Sequence, residues 1–392
     1  MPANRVILCL NSGSSSLKFA LYRLAEGREE VLITGAVERI GVAGGSLWTR
    51  DSKGAPILDE ERPFSSHREA LEALFRAPKG DRFPKPDAAG HRIVHGGPDH
   101  LQPEKVTPEL IEDLKRTVPL APLHLPPQIQ VMEFIAAERP SLPQVACFDT
   151  SFHRKMPEIA QRFPLPRRFW DEGIRRYGFH GLSFEYTMSV LGDAAKGAIV
   201  IAHLGNGASL AAVRDRDPMD TTMGLTPTAG LMMGTRTGDL DPGALLYLMN
   251  EKGYSSSGLA RLVNEQSGLL GVSAVTSDMK RLIELSATDP RARQAIDLFC
   301  YIARKQIGAM AAALGGLDLL VFTGGIGERA VLVRETICSG LGFLGIELDG
   351  ERNARNADII SREGARCPVR VIPANEDLMI ARHTRALAFD RP

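Results

Sequence analysis

Two segments about half a chain apart repeat one pattern: an apolar strand, a tight turn of small residues, and a returning apolar strand. The first runs Arg5–Asn11 (RVILCLN), turns through Ser12–Ser16 and returns along Leu17–Leu24. The second runs Ala198–Leu204 (AIVIAHL), turns at Gly205–Gly207 and returns along Ala208–Val213. Short apolar runs bounded by turn residues predict buried strands. A third such run, Leu317–Thr323, leads into Gly324-Gly325-Ile326-Gly327. The repetition predicts an α/β chain made of two similar domains, or else two unrelated buried hairpins. A chain of 392 residues is too long for one ordinary core, which also predicts two domains.

Elsewhere, Leu298, Ile302, Ile307 and Ala311 recur near helical spacing and Gly315-Gly316 follows as a stop, so a helix is predicted over Ala295–Leu314. Thr107-Pro108 reads as an N-cap followed by proline at the first helical position. Asp215–Gly243 has no period, and its Met and Leu content predicts a functional loop rather than disorder.

Lysine plus arginine, 47, equals aspartate plus glutamate, 47. A balanced chain is not expected to work chiefly on nucleic acid or a membrane surface. Five scattered cysteines without a C-x-x-C pair predict neither a disulfide framework nor a zinc site, and fit a reducing, cytoplasmic setting. Met1–Asn11 lacks the features of a signal peptide, and no apolar run reaches the length of a membrane span.

Three turns have the composition to hold phosphate. In Asn11–Lys18 (NSGSSSLK), glycine and serine let the backbone approach an anion and Lys18 adds charge. It is not a Walker A loop, and an ordinary serine-rich turn would look the same. His203–Ser209 (HLGNGAS) reads equally as a hairpin turn with Asn206-Gly207 at its tip. Gly324–Glu328 (GGIGE) follows a strand and is expected to precede a helix, which suits a nucleotide phosphate or ribose. It lacks the G-x-G-x-x-G of a dinucleotide site.

Basic residues cluster at His91, Arg92 and His95, at Arg175, Arg176 and His180, and at Arg236. Arginine beside glycine or small residues, on segments that read as loops, suits a bidentate grip on carboxylate or phosphate. His91 and His95, four residues apart, lack the further ligand that zinc needs. Asp149, Asp239, Asp241, Glu376 and Asp377 are the carboxylate candidates for a magnesium site.

In chain order, NSGSSSLK, GHRIVHGG, APLH, FDTSFH, RRYGFHG, HLGNGAS, MGLTP, GLMMGTRTGDLDP, FTGGIGE and IPANE resemble the acetate kinase family, over Ile7–Ile380. The resemblance implies two duplicated α/β domains of the actin/Hsp70/RNase H-like kind with an active-site cleft between them. It implies domain I at 1–149 plus 376–392, and a nucleotide-binding and dimerisation domain II at 150–375. It also implies a homodimer that uses ATP, with Mg²⁺ or alternatively Mn²⁺, to phosphorylate acetate reversibly to acetyl phosphate.

Site roles follow from the same resemblance. It implies Asn11 and Glu376 as metal ligands, Lys18 beside the phosphates, Arg92 on the substrate carboxylate and Asp149 as an active-site acid. His180 and Arg236 would stabilise the transition state, and Val94, Leu123, Phe179 and Pro227 would line the acyl pocket. Nucleotide contacts would fall on His203, Leu204, Gly205, Asn206 and Gly207, on Asp278, Met279 and Lys280, and on Gly325, Ile326, Gly327, Glu328 and Arg329. The chain departs from the family pattern at Leu125, Leu182 and Phe184, in place of Asn, Thr and His. It departs again at Lys280 and Arg329, in place of Arg and Asn.

A carboxylate is already ionised near neutral pH, so no base is needed to make it a nucleophile. The chemistry expected is positioning and charge stabilisation. Competing readings are a propionate or butyrate kinase, a nucleotide-binding chaperone or scaffold of the same fold, and a dinucleotide oxidoreductase.

Overall fold

The computed structural model, which describes residues 4–76 and 83–389, divides into two units. Unit 1 is Met1–Ser151 with Asn375–Pro392, and unit 2 is Phe152–Ala374. Residues 1–3, 77–82 and 390–392 of the expected first domain lie outside the described residues.

Unit 1 contains strands β1 (Arg5–Ser12), β2 (Ser16–Ala25), β3 (Arg28–Glu38), β4 (Ser46–Asp51), β5 (Pro56–Glu61), β6 (Ala88–Ile93), β7 (Glu104–Lys105) and β8 (Gln144–Phe148). They form one sheet in the order β5-β4-β3-β2-β1-β6-β8-β7. β1 to β5 are successive antiparallel neighbours, whereas β1–β6 and β6–β8 are parallel. Unit 2 contains β9 (Ala198–Leu204), β10 (Ala208–Arg214), β11 (Asp217–Thr221), β12 (Leu319–Thr323) and β13 (Val369–Val371), in the order β11-β10-β9-β12-β13. Here β9–β10 and β10–β11 are antiparallel, and β9–β12 and β12–β13 parallel. The run β3-β2-β1-β6-β8 therefore matches β11-β10-β9-β12-β13 in order and direction. Of the two readings that the repeated pattern left open, the duplicated α/β domain is the one found.

Every residue of β8, β9 and β12 is buried, as expected of strands covered on both faces. In unit 1, Leu8, Leu10, Phe19 and Leu21 pack under Leu71 and Leu74 of helix His67–Arg76 and Val131 and Ile135 of helix Leu125–Glu138. In unit 2, Ile199, Ile201, Ala211 and Val321 pack with Phe184 and Met188 of helix Gly181–Leu191. The last helix, Glu376–Phe389, packs against β1, β6 and β8, so the end of the chain rejoins unit 1.

Thr107 caps helix Pro108–Thr117, its Oγ1 accepting the Leu110 N–H at 3.2 Å. The long helix starts at Pro290 rather than Ala295, because the Asp289 side chain caps it by accepting the Arg291 N–H. It ends at Gly315, whose φ of +67° marks the expected stop. The 215–243 stretch is not all loop. β11 lies within it as an edge strand paired only to β10, and its DPMDT sequence is too polar and short to alternate. The Gly324 segment is itself a short helix, Gly324–Arg329, and helix Val331–Cys338 follows it as expected. Among the described residues no helix is long and apolar enough to cross a membrane.

Candidate functional site

In unit 1 the parallel strands β1, β6 and β8 end at one edge of the sheet, the edge where open α/β sheets bind ligands. Leu10 pairs with His91, so the next residues, Asn11 and Arg92, are level. Lys18 faces Asn11 across the β1–β2 hairpin. Arg92 lies on β6, not on the loop its sequence neighbours predict, and Asp149 is the first residue past β8.

The Arg92 Nε donates to both Asp149 oxygens at 3.0 Å, and Nη2 donates to Oδ2 at 2.7 Å. Arg92 Nη1 is 3.3 Å from the Glu376 carboxylate. Burial opposes the guanidinium charge, but Asp149 and then Glu376 outweigh it and hold the group above its usual range. A guanidinium has five N–H donors. Asp149 takes the Nε donor and one of the Nη2 donors, and Nη1 is ion-paired with Glu376.

Asp377 follows Glu376 at the start of the last helix. Burial, then the neighbouring Glu376 charge, pushes its carboxyl up to about 6 against the pull of Arg92 and Lys18. Crowded carboxylates with an Asn amide nearby are hard oxygen donors of the kind Mg²⁺ takes. Among the described residues no three His, Cys, Asp or Glu side chains gather as a metal cluster. A cation here would draw most of its shell from phosphate oxygens and water, as Mg²⁺ commonly does. Val94, just past β6, is 6% exposed, and its N–H is held at 3.0 Å by Gln128 Oε1; Leu123 lies 40% exposed on a turn.

In unit 2 the same sheet end is lined by histidine and glycine. His180 immediately precedes helix Gly181–Leu191 with φ +58°, a left-handed conformation rare for a side chain of this size. Its Nδ1 is 2.8 Å from Ser209 Oγ, and its ring stacks on His203 at 4.3 Å. His203 Nδ1 is in turn 2.8 Å from Ser183 Oγ. A Cβ on Gly207 would sit 3.0 Å from His180 Nε2 and 3.9 Å from Arg236 Nη1, so the turn, the histidine and the arginine converge. The Arg236 guanidinium donates to the Pro227 carbonyl at 2.9 Å, which folds the 222–241 loop on itself.

The other nucleotide candidates gather around this turn. Gly234 N–H donates to Asn206 O at 3.1 Å, and Ser277 lies against Gly234. Asp278 caps helix Met279–Leu285 by accepting the Lys280 N–H at 2.9 Å. Gly324 has φ +76°, and a Cβ there would meet the Leu204 carbonyl oxygen at 2.8 Å, so glycine is required where GGIG abuts the turn. Gly325 and Arg329 are exposed, whereas Glu328 accepts the Ala374 N–H at 2.8 Å. Phe179 is 1% exposed, and its carbonyl lies 3.1 Å from His153 Nε2. Burial pushes the His153 imidazole down to about 4.

Several sequence candidates do not join these groups. Arg176 donates to the carbonyls of Thr221, Thr222 and Met223 and braces the end of β11. Asp239 accepts the Gly230 N–H, and Asp241 caps helix Pro242–Lys252. His91 lies 2.8 Å from Gln144 Oε1 and burial pushes it down to about 4, while His95 Nδ1 accepts the Gly97 N–H. Leu125, Leu182 and Phe184 are core residues, and Phe184 packs edge-on to His153.

Sequence reasoning missed Ser183 and Ser209, which orient the paired histidines, and Arg334. Arg334 is fully buried, reaches the Gly327 carbonyl at 2.8 Å and is held by Asn353 and Asn356. Only Ser209 had a legible signal, since the hairpin register sets it opposite His203.

Residues 6–382 match the Acetokinase family. The chain is 45% identical to the acetate kinase of Methylocella silvestris, over 98% of each chain. Its structure is similar to a Porphyromonas gingivalis acetate kinase, with a TM-score of 0.88 and 38% identity over 98% of this chain and 100% of that one. It is also similar to a propionate kinase from Francisella tularensis, with a TM-score of 0.92 and 35% identity over 98% and 100%.

Proposed function

The chain belongs to the acetokinase family, and from that premise we propose that it transfers the γ-phosphoryl group of ATP to acetate, giving acetyl phosphate and ADP. The observation that carries the reading is the Arg92 guanidinium, held by Asp149 through Nε and Nη2 and ion-paired with Glu376, with Nη1 and Nη2 donors not taken by Asp149. That arrangement fixes a planar fork for a planar carboxylate.

Acetate arrives ionised, so no side chain need take a proton from it. Arg92 holds and orients the carboxylate, and Asp149 keeps Arg92 in place. The family resemblance gives Val94, Leu123, Phe179 and Pro227 to the methyl group of the substrate. The turn at 203–207, the segment 278–280 and residues 325–329 of the short helix hold the nucleotide. Lys18 draws the phosphates towards the β1–β2 turn. His180 and Arg236 donate to the oxygens of the moving phosphoryl group, where negative charge shifts as the bond to ADP breaks. Ser209 fixes which edge of the His180 ring is presented. Asn11 and Glu376 would hold Mg²⁺, which when bound neutralises phosphate charge.

A coupled ADP-release assay with acetate, propionate and butyrate tests the reading. Acetate should give the highest kcat/KM, with propionate about ten- to two-hundred-fold lower and butyrate lower again. Equal turnover of propionate would favour the propionate-kinase reading, to which the Francisella tularensis structure lends support. A homodimer is also proposed. Helix Pro242–Lys252 buries none of its residues, although Leu246, Tyr247 and Met249 lie on it. Apolar residues left bare in this way fit a protein partner, here a second copy. The setting proposed is the cytoplasm.

A further inference from the structure

The Ser12–Ser16 turn is held from inside by two buried side chains that have no part in the proposed chemistry. His67, the first residue of helix His67–Arg76, is 6% exposed, and its Nε2 lies 2.8 Å from the Gly13 carbonyl oxygen. A carbonyl only accepts, so Nε2 carries the proton. Gln128, on helix Leu125–Glu138, is 3% exposed and donates from Nε2 to the Ser12 carbonyl at 3.4 Å. Its other end accepts the Val94 N–H. The remaining turn carbonyls with partners are Ser15, accepting from Ile40, and Ser16, accepting from Gly13. Four carbonyls of the turn are thus tied to the protein's own donors. Carbonyl oxygens turned away from an anion remove its main source of repulsion, and leave serine hydroxyls and amides to face it.

We propose that His67 is a positioning residue for triphosphate binding: its Nε2–H, donated to Gly13, sets the orientation of the turn without touching substrate. The inference rests on the reading of this turn as the phosphate side of the site. The two helices are seated in the same core as Leu10, Leu17 and Phe19, so each is a rigid support for its side chain. Their reach differs. His67 is hydrogen-bonded to the turn, whereas Gln128 links the turn to Val94 on the carboxylate side.

The test is calorimetric binding of a non-hydrolysable ATP analogue with Mg²⁺, together with steady-state kinetics. His67→Leu and His67→Asn remove or shorten the donor and should weaken analogue binding and raise the KM for ATP about five- to tenfold, the scale of one hydrogen bond. The KM for acetate should hold. His67→Gln places an amide N–H near the position of Nε2 and should restore binding to within about twofold of wild type, which a merely space-filling role would not require. Gln128→Leu should raise both KM values. Thermal unfolding of each variant separates loss of the contact from loss of the fold. Unchanged analogue binding in His67→Asn, or equal weakening in His67→Gln and His67→Leu, would overturn the proposal. Lys18→Ala tells its failure apart from failure of the phosphate reading. If Lys18→Ala also leaves analogue binding unchanged, the turn does not hold phosphate and both fall. If Lys18→Ala weakens binding and His67→Asn does not, only the positioning role falls.

Discussion

The two units share a five-strand core of the same order and direction, yet their functional edges differ in kind. In unit 1 the ends of β1, β6 and β8 carry opposed full charges: Arg92 between Asp149 and Glu376, with Asp377 and Lys18 close by. In unit 2 the ends of β9 and β12 carry His203, stacked on His180, and glycine-rich segments in which Gly324 admits no side chain, with Arg236 brought against Gly207. One topology thus supports a charge-dense edge and a backbone-dense edge. The sheet supplies only the address, and the residues just past each strand supply the chemistry.

The sharpest test of the contrast is Arg236→Ala. If unit 2 acts on charge that develops during transfer, kcat should fall about 10³-fold with a smaller change in KM. Near-normal kcat would remove Arg236 from the mechanism and erase the distinction drawn for its edge.

For unit 1 the expected effect falls on the fold as well as on activity. Arg92→Leu takes the guanidinium away from the buried Asp149 carboxylate, which is 1% exposed, and should cost roughly 3–5 kcal/mol in denaturant unfolding. Adding Asp149→Asn should return most of it. Additive losses would mean that the pair is not coupled.

Acid should affect both units alike. His91 in unit 1 and His153 in unit 2 are each pushed down to about 4 by burial, from an ordinary value of about 6.5. The unfolded chain therefore takes up protons that the fold refuses. Stability from these groups is complete above about pH 6.5 and is lost as pH falls towards 4, by about 3 kcal/mol for each. Urea midpoints at pH 7.5 and 4.5 should converge partly in His91→Gln and again in His153→Gln. A single variant that removes the whole slope would place the sensitivity in one unit.

The smallest effect concerns the metal and the acyl pocket. Glu376→Gln should raise the Mg²⁺ needed for half activity by roughly tenfold, the loss of one charged ligand contact. Val94→Ala should narrow the acetate–propionate gap by about tenfold, within the range of one methylene. An unchanged Mg²⁺ titration would remove Glu376 from the metal site.

Much of this was legible beforehand because it is local. Apolar runs bounded by turn residues marked β1, β2, β9, β10 and β12, and Thr107-Pro108 marked a helix start, since burial and capping act on neighbouring residues. The likeness of the first two strand–turn–strand segments also foretold the duplication. The motifs implied the candidate residues by family resemblance, and Arg92, Asp149 and Glu376 prove to be in contact. What the sequence could not determine was which of several similar residues would be recruited. Arg176 and Arg236 sit in equally plain surroundings, but one is spent on the carbonyls of 221–223 and the other is brought to Gly207. Likewise nothing near His67, Gln128 or Arg334 signals that each grips a turn carbonyl, because those bonds span 54, 116 and 7 positions along the chain. Local patterns decide which segments become strands and helices. Only the packed tertiary structure decides which buried donor meets which carbonyl, because that pairing is set by how helices seat on the sheet, a distance that sequence spacing does not encode.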